Sequence, residues 1–194
     1  ESVDKFNKEF AVKKKSLQIT CNPKNLSESE SKEYFNMIDT LTIIYIVFIA
    51  LLIVCSGFFS MSETAFTSAS PVRLKKMSKD GNKKAARAVA ILEDYDKFLT
   101  TILIGNNLVN IAATTLSTLV FAVLLGEATG SIASTVVMTL VVLTFGEITP
   151  KTLAKRNPER YVLRVVGVVR VVEVILSPLS WIFGKLTKHI GSRV

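Results

Sequence analysis

Long apolar stretches alternate with short polar ones along the chain from residue 41 onward. The stretch LTIIYIVFIALLIVCSGFF at 41–59 carries no charge, and its length is close to the roughly 20 residues that a helix needs to cross a hydrocarbon core of about 30 Å. The stretch at 98–125 is also uncharged and is long enough to span a bilayer with tilt. The pattern predicts three transmembrane helices, at about 41–62, 98–125 and 132–154.

The polar loop between the first two spans, 66–97, contains helix-capping residues and many basic ones. Ser70 is a typical N-cap, and Pro71 suits the first position of the helix that follows it. Gly81 is typical of a helix end, and Asn82 can cap a second helix. We therefore predict a pair of short basic helices that lie against the membrane.

Charged residues interrupt the last apolar segment of the chain, 161–184. Arg164, Arg170 and Glu173 would each cost about 3 kcal/mol at the centre of a bilayer. A belt-like juxtamembrane helix at about 159–190 is therefore favoured over a fourth span, and Pro178 is expected to bend or end it.

The composition argues against a nucleic-acid-binding module, although the net charge is +8, because 49% of the 194 residues are hydrophobic. In a membrane protein, an excess of Lys and Arg marks the cytoplasmic loops. The 66–97 loop and the region after Ala154 are rich in both, whereas the linker GEATGS at 126–131 has neither. We expect an all-α membrane protein with three transmembrane helices, a short cytoplasmic helix pair and a belt-like juxtamembrane helix. Its N-terminus would be extracytosolic and its C-terminus cytoplasmic.

Little in the sequence supports catalysis. Cys21 and Cys55 lack the spacing of a metal site, His189 has no Cys or His companion, and no phosphate-binding loop or nucleophile elbow is present. We therefore do not expect an enzyme. Residues 1–40 form a polar N-terminal segment of unclear origin that carries no functional signal.

The segment FGEITPK at 145–151 combines a carboxylate with a break in a membrane helix. Pro150 has no N–H, so it leaves the carbonyl of Gly146 without its helical partner, next to the Glu147 carboxylate. In hydrocarbon, a free carbonyl and a carboxylate each need a partner. One cation that prefers oxygen ligands would satisfy both groups.

The other two spans carry oxygen-bearing side chains at a matching depth. Helical spacing places one set on a single face of the first span and a second set on a single face of the second span: Ser56, Ser60 and Glu63, and Asn106, Asn110, Thr114 and Ser117. Asn106 lies about 12 Å above the cytoplasmic start of its span, and Glu147 and Ser60 also fall in the cytoplasmic halves of theirs. The three polar sets are therefore expected to meet at one level.

Two interpretations of these residues remain open. Ser and Asn inside membranes often hold helices together, and Lys151 could neutralise Glu147 four residues away. As ligands, hydroxyl, amide, carbonyl and carboxylate oxygens suit Mg²⁺, Ca²⁺, Mn²⁺ or alkali ions, and the lack of His and Cys argues against zinc or copper. The donor chemistry alone leaves both Mg²⁺ and Na⁺ open.

Three motifs resemble, in order and spacing, the signature segments of the transmembrane domain of the CorC and cyclin M (CNNM) magnesium transporters. They are SGFFSMSETAF at 56–66, IGNNLVN at 104–110 and FGEITPKTLA at 145–154, and the resemblance covers about 41–194. It implies a homodimer that exports Mg²⁺, coupled to Na⁺ entry, in a lipid membrane. The Mg²⁺ ligands that the resemblance implies are Ser56, Ser60, Asn106 with Asn110 as an alternative, the Gly146 carbonyl and the Glu147 carboxylate.

Members of that family continue into paired cystathionine-beta-synthase (CBS) domains that bind adenine nucleotides. We find no such domains in this sequence, so ATP is expected as a partner only through them. Two functions of other classes also fit the pattern. The chain could be a membrane anchor or scaffold for cytosolic domains that sense nucleotides or divalent ions, or it could form a pore.

Overall fold

The computed structural model describes the backbone of residues 28–191 and the side chains of residues 40–181. Contacts divide the chain into two units, 1–44 and 45–194, and the described part of the first unit is the beginning of one helix. The helices are α1 (Glu28–Ser68), α2 (Pro71–Lys79), α3 (Lys83–Glu93), α4 (Tyr95–Leu125), α5 (Glu127–Val141), α6 (Thr149–Arg156) and α7 (Pro158–Gly191), with a π-helical segment, Val142–Ile148, between α5 and α6.

Three helical stretches in the described residues are long and apolar enough to cross a membrane: Thr40–Ser68, Tyr95–Leu125 and Glu127–Arg156. The described part of the chain contains helices and no strand. The expected all-α membrane fold is therefore confirmed. α7 is not among the three candidate spans, and its position at the membrane surface stays a prediction.

The predicted pair of short helices, α2 and α3, is present with the predicted caps. The Ser70 side chain accepts a hydrogen bond from the backbone N–H of Arg73, and the Asn82 side chain accepts from those of Lys84 and Ala85. Gly81 between the helices has a φ of +90°, a conformation that favours glycine. Local capping chemistry therefore determines where these helices begin.

The connection between α4 and α5 is shorter than the linker predicted at 126–131. Gly126 alone leaves the helical conformation, with a φ of +82°, and α5 begins at Glu127. The turn is tight because α5 lies directly against α4. A Cβ atom on Gly130 would lie 2.4 Å from the carbonyl oxygen of Phe121. The linker prediction is therefore wrong for 127–131, since one residue with positive φ is enough to reverse the chain.

α7 buries a face of β-branched residues against the rest of the protein. Val162, Val166 and Val169 are almost fully buried in the same cluster as Phe66 and Phe98. Valine at this helical spacing presents a continuous apolar stripe. This stripe attaches α7 to the ends of α1 and α4.

Further along, α7 packs against α4 through small and polar residues. The hydroxyls of Thr101 and Ser180 lie 2.9 Å apart, and a Cβ atom on Gly105 would lie 3.3 Å from Leu176. Pro178 lies inside α7 and does not end it, because the helix continues to Gly191. Buried Glu173, 5% exposed, accepts a hydrogen bond from Arg170 at 2.9 Å, which compensates its charge.

Replacing Gly130 with alanine should destabilise the protein by about 1–3 kcal/mol, because the added methyl group would meet backbone atoms that cannot rotate away. Gly167→Ala is the matched control. Nothing lies within 4 Å of a Cβ atom at this position in α7, and alanine is the better helix former by about 1 kcal/mol. The free energy of unfolding, measured by denaturant titration in detergent micelles, should fall for the first variant and not for the second. Equal values would contradict the close α4–α5 packing.

Candidate cation site

A π-helical segment, Val142–Ile148, stands where the sequence predicted a proline break. In this wider register the Thr149 N–H bonds to the Thr144 carbonyl, five residues earlier. Pro150 is the next residue and cannot donate, so neither the carbonyl five residues before it, Phe145, nor the one four residues before it, Gly146, can be its partner. The sequence predicts only the Gly146 carbonyl, because Phe145 loses a partner only in the π-helical register.

Three helical segments meet at Ser56. Its hydroxyl donates a hydrogen bond of 3.0 Å to the side-chain oxygen of Asn106 on α4, and its side chain is fully buried. A Cβ atom on Gly146, in the π-helical segment, would lie only 2.8 Å from the Ser56 Oγ. The predicted convergence of the three polar sets is therefore present at Ser56, Asn106 and Gly146. Their role as ligands remains a prediction.

Gly57 lets the π-helical segment approach α1 at the same level. A Cβ atom at this position would lie 3.3 Å from the Phe145 carbonyl oxygen and 3.3 Å from Pro150 Cγ. The Phe145 oxygen therefore lies against α1, next to the Ser56 junction. It is a further candidate ligand, and its distance of five residues from Pro150 is the signal that identifies it.

Two buried oxygens one helical turn from this junction have no hydrogen-bond partner in the described part of the protein. They are Ser60 Oγ on α1 and Asn110 Oδ1 on α4. Leaving a buried polar atom without a partner costs about 1–3 kcal/mol. Both residues belong to the predicted ligand set, and each lies four residues after a member of the junction, on the same helix face as that member.

The acidic residues of the site have different neighbours. Lys151 Nζ lies 3.4 Å from a carboxylate oxygen of Glu63 on α1. Lys151 therefore does not pair with Glu147, which was the open alternative. Glu147 is partly buried and forms no ion pair with any residue that the structure describes. Its carboxylate is thus not neutralised by a nearby protein cation.

The polar residues along one face of α4 are Asn106, Asn110, Thr114 and Ser117. Thr114 and Ser117, which lie further from the Ser56 junction, form hydrogen bonds within α4 or with α5. Ser134 on α5 donates to Ser117 at 3.0 Å, and the Thr118 hydroxyl lies 3.3 Å from the same Ser134 oxygen. The Thr114 hydroxyl donates to the Asn110 carbonyl within its own helix. Asn106 and Asn110 therefore lie near the candidate cation site. The hydroxyls further along α4 join this helix to α5 or bond within the helix.

Tyr161 on α7 is the neighbour of Ser62, which follows the site residues on α1. Burial raises the pKa of the Tyr161 phenol above its ordinary value, and the neighbouring Ser62 side chain partly opposes this increase. Ser62 Oγ itself is buried and, like Ser60 Oγ, has no hydrogen-bond partner in the described part of the protein. The phenol therefore stays neutral near pH 7. It contributes no charge to the α1 end of the site.

Residues 46–193 match the model of the cyclin M transmembrane N-terminal domain. The chain belongs to this family. It is 39% identical over 135 residues to the UPF0053 inner membrane protein YfjD of Escherichia coli (strain K12), and the matched region covers 70% of this chain and 31% of that protein. It is 38% identical over 150 residues to a UPF0053 protein of Haemophilus influenzae, which covers 77% and 35% of the two chains.

A third similar protein is named the polyamine export protein of Escherichia coli (strain K12). It is 29% identical over 157 residues, covering 75% of this chain and 35% of that protein. The chain thus spans about a third of the length of these relatives. Family membership and the three apolar helices identify a multi-pass membrane protein with a transporter-type domain.

A double-mutant cycle tests the neighbours of Lys151. Combining Lys151→Gln with Glu63→Gln should give a coupling of about 0.2–1 kcal/mol in the free energy of unfolding, because this pair is partly exposed and screened. The same cycle with Glu147→Gln is the control and should give a coupling near zero. A larger coupling with Glu147 than with Glu63 would contradict the arrangement.

Proposed function

We propose that this chain forms the ion-translocating part of a secondary transporter that exports Mg²⁺ in exchange for Na⁺. The observation that carries the proposal is the pair of buried, unpartnered oxygens, Ser60 Oγ and Asn110 Oδ1, beside the Ser56 junction. A bound cation would supply the partner that these two atoms lack. It would also compensate the charge of Glu147.

The donor chemistry supports a hard cation. Mg²⁺ prefers oxygen ligands, demands near-octahedral geometry and usually keeps several waters. The part of the chain that the structure describes has no group of three or more His, Cys, Asp or Glu side chains placed to hold a metal ion. The proposed ligand set is therefore rich in neutral oxygens: Ser56, Ser60, Asn106, Asn110, the carbonyl of Gly146 with that of Phe145 as an addition, and Glu147.

The proposed direction of transport follows from charge asymmetry. The exposed Lys and Arg residues of α2 and α3 and of the end of α6 favour a cytoplasmic position for these elements. Ser60 and Glu147 would then lie in the cytoplasmic half of the membrane, where an exporter binds the ion that it transports. A homodimer, as the family resemblance implies, would provide one such site in each protomer.

Polyamine export is the second candidate, because a relative carries that name. The same oxygens that suit Mg²⁺ also accept hydrogen bonds from ammonium groups. Glu147 would compensate the charge of one ammonium group. A long flexible polyamine would need further acceptors beyond this junction.

Flux measurements on liposomes reconstituted with the chain separate these functions. The vesicles contain a Mg²⁺ indicator and experience Na⁺, K⁺ or choline gradients, and a parallel set reports the movement of radiolabelled spermidine. Mg²⁺ flux that depends on Na⁺ supports the proposal, and flux of spermidine without Mg²⁺ favours polyamine export. Mg²⁺ flux without Na⁺ dependence indicates a pore, and no flux of either solute favours a scaffold.

Glu147→Gln should lower Mg²⁺ affinity at least about tenfold, because it removes the charge that offsets the cost of dehydrating the ion. Glu127→Gln is the matched control. Glu127 is exposed in the first turn of α5, at the other end of the same candidate span. Titration calorimetry on the purified chain gives both affinities. If Glu147→Gln binds Mg²⁺ as the unmodified chain does, Glu147 is not a ligand.

Raising Na⁺ at constant ionic strength should weaken Mg²⁺ binding, because Na⁺ also prefers hard oxygens and would occupy the same site. K⁺ and choline are the reference ions. Asn106→Ala should lower the affinity for both Mg²⁺ and Na⁺ if the two ions share the site. If Na⁺ acts as choline does, the two ions are not coupled through a shared site.

A further inference from the structure

A cavity of about 420 Å³ lies apart from the cation site, where α1 leaves the first candidate span and α4 enters the second. Its lining includes Phe66 of α1, Lys75 of α2, Leu92 and Glu93 of α3, and Tyr95 of α4. The volume falls within the range of small-molecule sites. Because both candidate spans end here, a bilayer that these two helices cross would have its headgroups near the cavity.

The orientation of one hydroxyl in this cavity follows from hydrogen-bond counting. The Thr67 hydroxyl donates to the backbone carbonyl of Glu63 at 2.8 Å, and the Tyr95 oxygen lies 2.7 Å from the same Thr67 oxygen. A hydroxyl has one hydrogen, and that of Thr67 is already used. Tyr95 must therefore donate to Thr67, so its own oxygen can only accept a hydrogen bond from a ligand.

The two charged residues of the cavity have opposite signs but do not form an ion pair with each other. Lys75 and Glu93 are both exposed, and neither forms an ion pair with any residue whose side chain the structure describes. The cavity therefore combines a cation, an anion, a neutral acceptor on Tyr95 and apolar walls that include Phe66 and Leu92. A ligand that matches all of these is a zwitterion with an apolar part.

We propose that this cavity binds a phospholipid with a phosphoethanolamine headgroup. The lipid phosphate would bind Lys75, and the ammonium group, which has three N–H donors, would bind the Glu93 carboxylate and the Tyr95 oxygen. The glycerol and first acyl carbons would pack on Phe66 and Leu92. A choline headgroup has no N–H to donate, and a purely anionic headgroup would meet the like charge of Glu93.

The basic surface around the cavity does not provide this selectivity. α2 and α3 expose further Lys and Arg residues, among them Lys76, Lys79, Lys83 and Lys84. Such a surface attracts anionic lipids in general. These residues do not line the cavity, however, so they cannot distinguish one zwitterionic headgroup from another.

Native mass spectrometry of the full, delipidated chain in detergent tests the proposal. Phosphatidylethanolamine, phosphatidylcholine and phosphatidylglycerol with identical acyl chains are offered in equal amounts. The chain should bind phosphatidylethanolamine about fivefold better than phosphatidylcholine, the preference that partly exposed charged contacts provide. Free phosphoethanolamine should compete weakly, because it has no chains to pack on the apolar wall.

Variants of the lining residues test which side chains produce the preference between the two lipids. Glu93→Gln and Tyr95→Phe should each reduce the preference for phosphatidylethanolamine over phosphatidylcholine, and Lys75→Ala should weaken the binding of both. Asp80→Asn and Lys84→Ala change the same charges on the same helix pair outside the cavity and should leave the preference unchanged.

Three results would overturn the proposal. The first is equal binding of the ethanolamine and choline lipids by the unmodified chain. The second is a preference for phosphatidylglycerol that Glu93→Gln strengthens, which would identify an anionic-lipid site. The third is competition by free phosphoethanolamine that is as strong as competition by the complete lipid, which would identify the cavity as a site for a soluble phosphoester.

Discussion

Every backbone N–H and C=O group inside a hydrocarbon core must find a partner within the protein, and Pro150 makes this impossible for a regular helix. The segment before it, Val142–Ile148, is π-helical, and the chain resumes as α6. This segment places Phe145 and Gly146 against α1 at the level where α1 and α4 also meet. The candidate site therefore lies where Pro150 cannot donate a backbone hydrogen bond to the carbonyl of Phe145 or of Gly146.

Helices in lipid gain little from burying apolar surface against each other, so close packing and hydrogen bonds must hold them together. Gly57 and Gly146 provide the close approach, and the Ser56–Asn106 hydrogen bond joins two of the spans. Packing and ion binding are therefore not exclusive interpretations of this region. Ser56 is used in packing, whereas Ser60, one turn further along α1, keeps an oxygen that packing does not use.

Much of this arrangement is predictable from the sequence, because helix periodicity and the chemistry of proline act locally. The meeting of Asn106 and Gly146 at the first span follows from depth counting along three spans. Features that depend on contacts between helices could not be predicted from the sequence. The role of Phe145 depends on a helix register that periodicity does not reveal, Lys151 reaches a partner on another helix, and Gly126 alone replaces an expected linker.

The charge balance of the site bears on the proposed exchange of ions. Lys151 and Glu63 neutralise each other, so the formal charge that remains near the junction is the single negative charge of Glu147. A divalent ion would then leave the site with an excess positive charge, whereas a monovalent ion would make it neutral. In a low-dielectric surrounding, uncompensated charge is costly. Such a site would hold Mg²⁺ only weakly against Na⁺, and a carrier that must release its ion on the far side of the membrane requires that weakness.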